Sequence, residues 1–252
     1  IDVAAADAVQ DITAYDAVDS AYVIEDSAGS VLGDTGTILD GGVAGVNVVG
    51  GPVGAGIGSE LSALDGDLQE LSGYSSDISF TVSDDASAIA GVLAQGDELN
   101  NAEDVDVVGS TIDVAAADAV QDITAYDAVD SAYVIKDSAG SVLGDTGTIL
   151  DGGVAHVDVT STVSANIGVE LGGLEELLDA GYSSDISFTV SDDASAIAGV
   201  LAQGDELNNA DDVNVVGSTI DVAAADAVQD ITAYDAVDSD YDITDDASTL
   251  LS

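Results

Sequence analysis

Long internal repeats dominate the sequence and limit the folds that it can adopt. Residues 1–44 recur at 112–155 with one substitution, and residues 73–131 recur at 181–239 with two. The two pairs are offset by 111 and 108 residues because the stretch after Pro52 is longer in the first copy. The chain is therefore predicted to be built from similar structural units in series.

We predict a single continuous repeat array over residues 1–252. Its superrepeat of about 108 residues is present at 1–111 and 112–219 and in part at 220–252. Both ends of the sequence lie inside a repeat and look like interior repeats, whereas the terminal repeats of a free solenoid usually differ. We therefore expect the chain to be a section of a longer one, or its ends to be covered by neighbouring subunits.

A shorter motif, aromatic-x-(Ile/Val)-x-Asp-x-Ala, predicts one set of strands. It starts at five aromatic residues, Tyr22, Phe80, Tyr133, Phe188 and Tyr241. Valine-rich runs lie midway between them and start at Val46, Val105, Val157 and Val213. Alternating apolar residues are typical of strands, so the sequence predicts a strand about every 27 residues.

Apolar residues between the predicted strands follow the spacing of a helix face. The clearest stripe is Ile57, Leu61, Leu64, Leu68 and Leu71, and its second copy is Ile167, Leu171, Leu174 and Leu178. Similar stripes are Ala86, Ile89, Ala90 and Leu93, and Ala119, Val120, Ile123 and Tyr126. The stretch 29–42 is the weakest helical prediction because glycine destabilises a helix by about 1 kcal/mol.

The alternation of strand and helix implies parallel strands joined by helical crossovers, which are right-handed in nearly all proteins. We therefore predict an α/β fold: a right-handed βα-repeat solenoid with a parallel sheet and about 27 residues per turn. The alternative is a pair of tandem Ig-like β-sandwiches, since such a domain has about 100 residues.

Charge excludes several classes of function. The chain has 50 acidic residues against a single Lys or Arg, so its formal net charge is −49. Nucleic acids and anionic lipids are bound mainly through Lys and Arg, so neither is an expected partner. No apolar run is long enough for direct membrane insertion. Because 46% of residues are hydrophobic, the chain is expected to fold despite its self-repulsion.

The candidate sites are carboxylates. The Asp that closes each aromatic motif is predicted to cap a helix N-terminus, and these residues are Asp26, Asp84, Asp137, Asp192 and Asp245. The competing interpretation is a calcium site, with paired ligands at Asp84, Asp85, Asp192 and Asp193.

No catalytic or cofactor-binding residue is predicted, since the chain has one His, one Lys and no Cys. His156 and Lys136 replace Gly45 and Glu25 of the other copy and are expected to be tolerated surface substitutions.

The motif Tyr22-Val-Ile-Glu-Asp-Ser-Ala28, with its alternating Val-x-Val runs, resembles the tandem repeats of giant acidic secreted and surface proteins of bacteria, of the cyanobacterial or marine type. This resemblance implies an adhesin-like or surface-layer role outside the cell, and it transfers no catalytic residue.

The sequence thus predicts a non-enzymatic, extracellular or cell-surface structural protein. Its expected partner is itself, joined head-to-tail into a filament, sheath or surface layer. Cations, with calcium as the candidate ion, are expected to offset its charge. The alternative function is a calcium-stiffened stalk or adhesive segment of a large secreted adhesin.

Overall fold

A computed structural model describes residues 1–12, 21–39, 42–70, 77–182, 184–204, 206–246 and 249. The chain divides into two compact units, Ile1–Tyr133 and Val134–Ser252. The boundary between them falls within the second superrepeat. Within each unit helices and strands alternate along the chain, as the sequence predicts.

Unit 1 contains short strands separated by helices of very different length. Its helices are α1 (Val3–Gln10), α2 (Ala28–Gly33), α3 (Thr35–Ile38), α4 (Ala55–Glu70), α5 (Ala86–Leu93) and α6 (Val114–Gln121). Its strands are β1 (Tyr22–Asp26), β2 (Val43–Val48), β3 (Ile78–Ser79), β4 (Thr81–Asp85) and β5 (Asp104–Ile112), and β6 (Ala132–Asp137) runs across the boundary.

Unit 2 repeats the same succession of elements. Its helices are α7 (Ala139–Gly144), α8 (Thr146–Ile149), α9 (Ala165–Gly181), α10 (Ala194–Leu201) and α11 (Val222–Gln229). Its strands are β7 (Val154–Val159), β8 (Asp185–Ser187), β9 (Thr189–Asp193), β10 (Asp212–Ile220) and β11 (Asp240–Ile243). None of the helices in the described ranges is both long enough and apolar enough to cross a membrane.

The strands pair in parallel with their neighbours in sequence. In unit 1, β2 pairs with β1 and β3, and β4 pairs with β5. In unit 2, β7 pairs with β8, and β10 pairs with β9 and β11. These pairings confirm an α/β fold with parallel sheets, and the sheets are open. They differ from the antiparallel pairing that the Ig-like alternative requires.

All nine strand segments predicted from the sequence are present, but two of them are broken. A single residue, Phe80, separates β3 from β4, and Phe188 separates β8 from β9 in the same way. Both rings are buried. The carbonyl of Phe80 accepts the amide of Glu103 at 2.9 Å, one residue before the first register pair of β4 and β5, Thr81 and Asp104. The break lets one extended segment pair with β2 in its first part and with β5 in its second.

The apolar stripe of α4 packs into the core as predicted. Leu61, Leu64 and Leu68 are at most 5% exposed, and the matching leucines of α9 are buried as well. The prediction was wrong for Ile57, which is 44% exposed in the first turn of α4. Leu71 lies outside the described residues.

Two other helical predictions need adjustment. The stripe from Ala119 to Tyr126 was predicted as helix, but α6 ends at Gln121 and Asp122 caps its C-terminus. Tyr126 instead forms an isolated parallel bridge with Val105 of β5. The glycine-rich stretch 29–42 does hold helix, divided into α2 and α3, and the side chains of Ser27 and Asp34 accept hydrogen bonds at their N-termini.

Candidate functional site

Four of the five aspartates that close the aromatic motifs, Asp26, Asp84, Asp192 and Asp245, each accept two backbone amides. One carboxylate oxygen of Asp84 accepts the amide of Asp85 at 2.8 Å, and the other accepts the amide of Ala55, the first residue of α4, at 2.9 Å. Asp192 holds the amides of Asp193 and Ala165 at 2.8 and 3.0 Å in the same arrangement. Each aspartate therefore ties the end of its strand to the N-terminus of the helix that precedes that strand.

The same arrangement recurs at two further motif aspartates. Asp26 accepts the amide of Ser27 at 2.7 Å and that of Val3 in α1 at 3.2 Å. Asp245 accepts the amide of Val222 in α11 at 3.4 Å. The N–H groups of a first helical turn have no partner within the helix, so a carboxylate placed there satisfies one of them and lies at the positive end of the helix dipole.

The predicted helix caps were wrong by one residue. After Asp26, Asp84, Asp137 and Asp192 the following helix is capped not by the motif aspartate but by its successor. These caps are Ser27, Asp85, Ser138 and Asp193. The physical reason is that the motif aspartates turn back toward the preceding helix, and this leaves the next residue to accept the amides of the following one. The cap predicted at Asp245 is untested, because residues 247 and 248 lie outside the described ranges.

The capping aspartates are held in the ionised form by their hydrogen bonds. The pKa of Asp85 is lowered first by the Ser87 hydroxyl and then by the amide of Ala88. The pKa of Asp193 is lowered in the same way by the Ser195 hydroxyl and the amide of Ala196. These carboxylates therefore keep their negative charge at the helix ends well into acidic solution.

The candidate calcium ligands Asp84, Asp85, Asp192 and Asp193 thus all serve as acceptors for backbone amides. Among the residues that the structure describes, no group of three or more His, Cys, Asp or Glu side chains is arranged to hold a metal ion. Calcium binds six to eight oxygens, so one aspartate pair needs further ligands from elsewhere. A calcium site at these pairs stays a prediction.

Sequence reasoning missed a buried carboxylate in unit 1 and a half-buried one in unit 2. Asp65 of α4 is only 2% exposed, and it accepts the amide of Ile78 and the side-chain amide of Gln69, each at 2.7 Å. Burial raises the pKa of Asp65, and the charge of Asp77 adds to this. Its spacing of four and three residues from Leu61 and Leu68 was the available signal, since that spacing marks the core face.

Glu175 takes the same place in α9. Its carboxylate accepts the amide of Ile186 at 2.5 Å, so both long helices are fastened to the start of the following strand through an acidic side chain. Burial raises the pKa of Glu175, and the charges of Asp179, Asp185 and Asp211 raise it further.

A third carboxylate lies on the polar face of β5. Burial raises the pKa of Asp106, and the charges of Asp104, Asp130 and Asp127 raise it further. One oxygen of Asp106 is buried without a hydrogen-bond partner. The second copy carries Asn214 at this position, which removes one charge from the equivalent cluster.

The chain's two basic side chains both pair with acids on a neighbouring strand. Lys136 forms an ion pair with Asp158, and Nδ1 of His156 lies 2.8 Å from Asp185. In the first copy Glu25 has the uncharged Asn47 as its register partner. The change to Lys136 is therefore matched by a change to aspartate on the adjacent strand, and Lys136 lies at the surface as predicted, 50% exposed.

A shallow groove of the same form occurs in each unit, beside the long helix. In unit 1 it has a volume of about 320 Å³ and is lined by α4 and the loop 96–101. In unit 2 it has a volume of about 330 Å³ and is lined by α9 and residues including Gly204, Glu206 and Asn209. The loops are held alike: Asn101 donates to the carbonyl of Ser62 at 3.2 Å, and Asn209 to that of Gly172 at 3.1 Å.

Comparison with known proteins gives no assignment. No family model, no curated protein and no solved structure matches this chain.

Proposed function

We propose that the chain is an extracellular structural repeat protein that assembles with copies of itself. In this proposal the parallel sheets and their helices form a right-handed solenoid of about 27 residues per turn. Equivalent faces then recur at regular intervals, and they can join head-to-tail into a filament, sheath or surface layer.

The observation that carries this proposal is that consecutive βα units are joined by the same side-chain bonds in both copies. Asn100 accepts the amide of Thr124 at 3.1 Å, and Asn208 accepts that of Thr232 at 3.0 Å. The Ser131 hydroxyl accepts the amide of Val107 at 3.0 Å, and the Ser239 hydroxyl accepts that of Val215 at 3.0 Å. Contacts of this kind between nearest neighbours are what stabilise a repeat protein.

The charge of the chain supports a role for cations in this assembly. Two carboxylates on adjacent strands, about 4.8 Å apart, repel by about 0.9 kcal/mol in water. With a net charge of −49, the carboxylates also repel one another over longer distances throughout the chain. Salt screens this repulsion and divalent cations neutralise it, so assembly is expected to require one or the other.

Light scattering and electron microscopy test the proposal. The chain is compared in low-salt buffer without divalent ions and in a seawater-like buffer that contains calcium. Filaments or sheets that form only in the second buffer support it. A chain that stays monomeric in both buffers over the accessible concentration range refutes self-assembly.

The alternative is a calcium-stiffened stalk, which the uncompensated acidic clusters favour. A calcium titration followed by thermal unfolding separates the two. A large rise in Tm without growth in particle size supports the stalk, because a ligand that binds only the folded state stabilises it by mass action. Growth in particle size together with the rise in Tm supports assembly.

A further inference from the structure

The loop that follows α6 returns to β5 and is fastened to it by hydrogen bonds. This return loop comprises residues 122–131. The amide of Asp127 donates to the carbonyl of Val105 at 3.2 Å, and the Ser131 hydroxyl accepts the amide of Val107 at 3.0 Å. Nearby charges can strengthen or weaken an attachment that consists of a few such bonds.

The return loop of unit 2, residues 230–239, is attached to β10 in the same way. The amide of Asp235 donates to the carbonyl of Val213 at 3.1 Å, and the Ser239 hydroxyl accepts the amide of Val215 at 3.0 Å. The two return loops are identical in sequence. Any difference in their attachment therefore comes from the strand.

A single substitution distinguishes the two copies of this region. Asp106 of β5 is replaced by Asn214 of β10, and residues 104–131 and 212–239 are otherwise identical. In both side chains Oδ1 is buried and has no hydrogen-bond partner among the described residues. The two side chains thus have equivalent surroundings, but they differ in charge and in the ability to donate a hydrogen.

The asparagine uses that ability. Nδ2 of Asn214 donates to the carboxylate of Asp212 at 3.0 Å. The counterparts of these residues in unit 1 are Asp106 and Asp104, which lie on one face of β5 because alternate residues of a strand share a face. An ionised Asp106 has no hydrogen to donate, so the two carboxylates repel each other where unit 2 has a hydrogen bond.

The return loop adds to this repulsion. Burial, followed by the charges of three neighbouring aspartates, raises the pKa of Asp106, and these neighbours are Asp104, Asp130 and Asp127. The repulsion is mutual, so an ionised Asp106 also opposes the attachment of the loop that carries Asp127 and Asp130. Apolar packing offers little resistance at the tip of the loop, since Val129 is 90% exposed.

The strand on the other side of Asp106 contributes no opposing charge. Its register partner on β4 is the uncharged Ser83. Asp85 lies two residues further along β4, opposite Val108, where it caps α5. The charges that raise the pKa of Asp106 are therefore those of β5 itself and of the return loop.

We propose that Asp106 is an acid-sensitive switch that fastens the return loop of unit 1 to β5. When it takes a proton from solvent, its carboxyl group has one donor and one acceptor side, like the amide of asparagine. The new O–H then donates to Asp104 as Asn214 donates to Asp212, and the charge that opposes the loop is removed. Unit 2 has this fastened arrangement at every pH, whereas unit 1 reaches it only in acid.

The direction of the pH dependence follows from the linkage between protonation and stability. Because the pKa of Asp106 is raised in the folded state, its contribution to the attachment is complete below the unfolded pKa and is lost as the pH rises through the folded one. Asn214 does not titrate, so unit 2 lacks this term. The switch acts within a single chain and is independent of the proposed self-assembly.

Hydrogen exchange measured by mass spectrometry tests the switch. The strand segments 103–108 and 211–216 differ at two positions and are therefore distinguished by mass. Exchange is followed from about pH 7 to about pH 4 and corrected for the intrinsic rate of each segment. We expect segment 103–108 to exchange faster than 211–216 at neutral pH, and the difference to close as the pH falls.

Exchanging the two residues between the units sharpens the test. Asp106→Asn is expected to slow the exchange of segment 103–108 about fivefold at about pH 7 and to remove its extra pH dependence. Asn214→Asp is expected to give segment 211–216 that pH dependence. The matched control is Asp67→Asn, which removes one charge from an exposed position of α4 in the same unit. Circular dichroism verifies that each variant is folded.

Three results overturn the proposal. The first is an equal pH dependence of the two strand segments in the wild-type chain. The second is a folded Asp106→Asn variant whose segment 103–108 exchanges as in the wild type. The third is an equal effect of Asp67→Asn, which would make the change one of net charge alone.

Discussion

The sharpest test of the packing is a pair of glycine substitutions in α4. A Cβ atom at Gly58 would lie 2.7 Å from Cγ2 of Val82 and 3.2 Å from Cδ2 of Leu99. Both of these side chains are completely buried, so neither can move out into solvent. At Gly56, two residues earlier in the same helix, a Cβ would meet nothing within 4 Å. The two positions therefore separate helix propensity from packing.

The expected magnitudes follow from these two effects. Replacing glycine by alanine inside a helix gains about 1 kcal/mol. Forcing a methyl group into a filled core costs about 1–3 kcal/mol. Gly56→Ala brings only the gain in helix propensity and should raise the free energy of unfolding by about 0.5–1 kcal/mol. Gly58→Ala combines the gain in helix propensity with the cost of overpacking. Its free energy of unfolding should therefore be about 1–3 kcal/mol lower than that of Gly56→Ala.

Urea denaturation followed by circular dichroism measures the difference, with wild-type chain analysed in parallel. Gly168→Ala repeats the experiment in unit 2, where the new Cβ would lie 2.6 Å from Val190 and 3.2 Å from Leu207. If Gly58→Ala stabilises the protein as much as Gly56→Ala does, α4 does not pack on β4 as described, and the reasoning fails.

Three further predictions concern charged side chains. Burial raises the pKa of Asp65 above its unfolded value, so its ionisation destabilises the fold and stability should rise as pH falls toward that pKa; Asp65→Asn should reduce this dependence in pH-resolved melts, and an unchanged slope contradicts it. Asp84→Ala leaves the amide of Ala55 without its acceptor and should cost about 1 kcal/mol in urea titrations, whereas no loss of stability would show that the bond contributes nothing. Lys136 and Asp158 are 50% and 36% exposed, so a double-mutant cycle with Lys136→Gln and Asp158→Asn should give a coupling below about 1 kcal/mol that falls with salt; a larger, salt-insensitive value contradicts this.

Local patterns predicted much of the fold because the repeat presents each signal several times. Two local patterns predict burial of one face: the alternation around Ile24 and Val82, and the leucine spacing at Leu61 and Leu68. The structure buries all four side chains. The helix ends were predictable only approximately. Asp122 stops α6 four residues before the aromatic Tyr126 that extended the apparent stripe.

The errors at the candidate site arise from contacts that are distant in sequence. Asp84 and Asp85 are adjacent acids, and nothing local reveals that one binds an amide 29 residues earlier while the other caps the helix that follows. The position of Asp65 on the leucine face signals its burial, but its hydrogen-bond partner could not be predicted, since Ile78 lies on the next strand. Which carboxylate satisfies which amide is decided by tertiary packing, which one repeat read alone does not contain.

The hydrogen bonds from the motif aspartates to the preceding helices also determine where the chain can be truncated without loss of a helix contact. A fragment that stops between α4 and β4 keeps the helix but discards Asp84, the acceptor for its first amide. A fragment that stops just beyond Asp84 keeps both. The shortest fragments that fold on their own should therefore end after a motif aspartate. That residue, rather than the last turn of a helix, is the position at which to truncate or extend the chain.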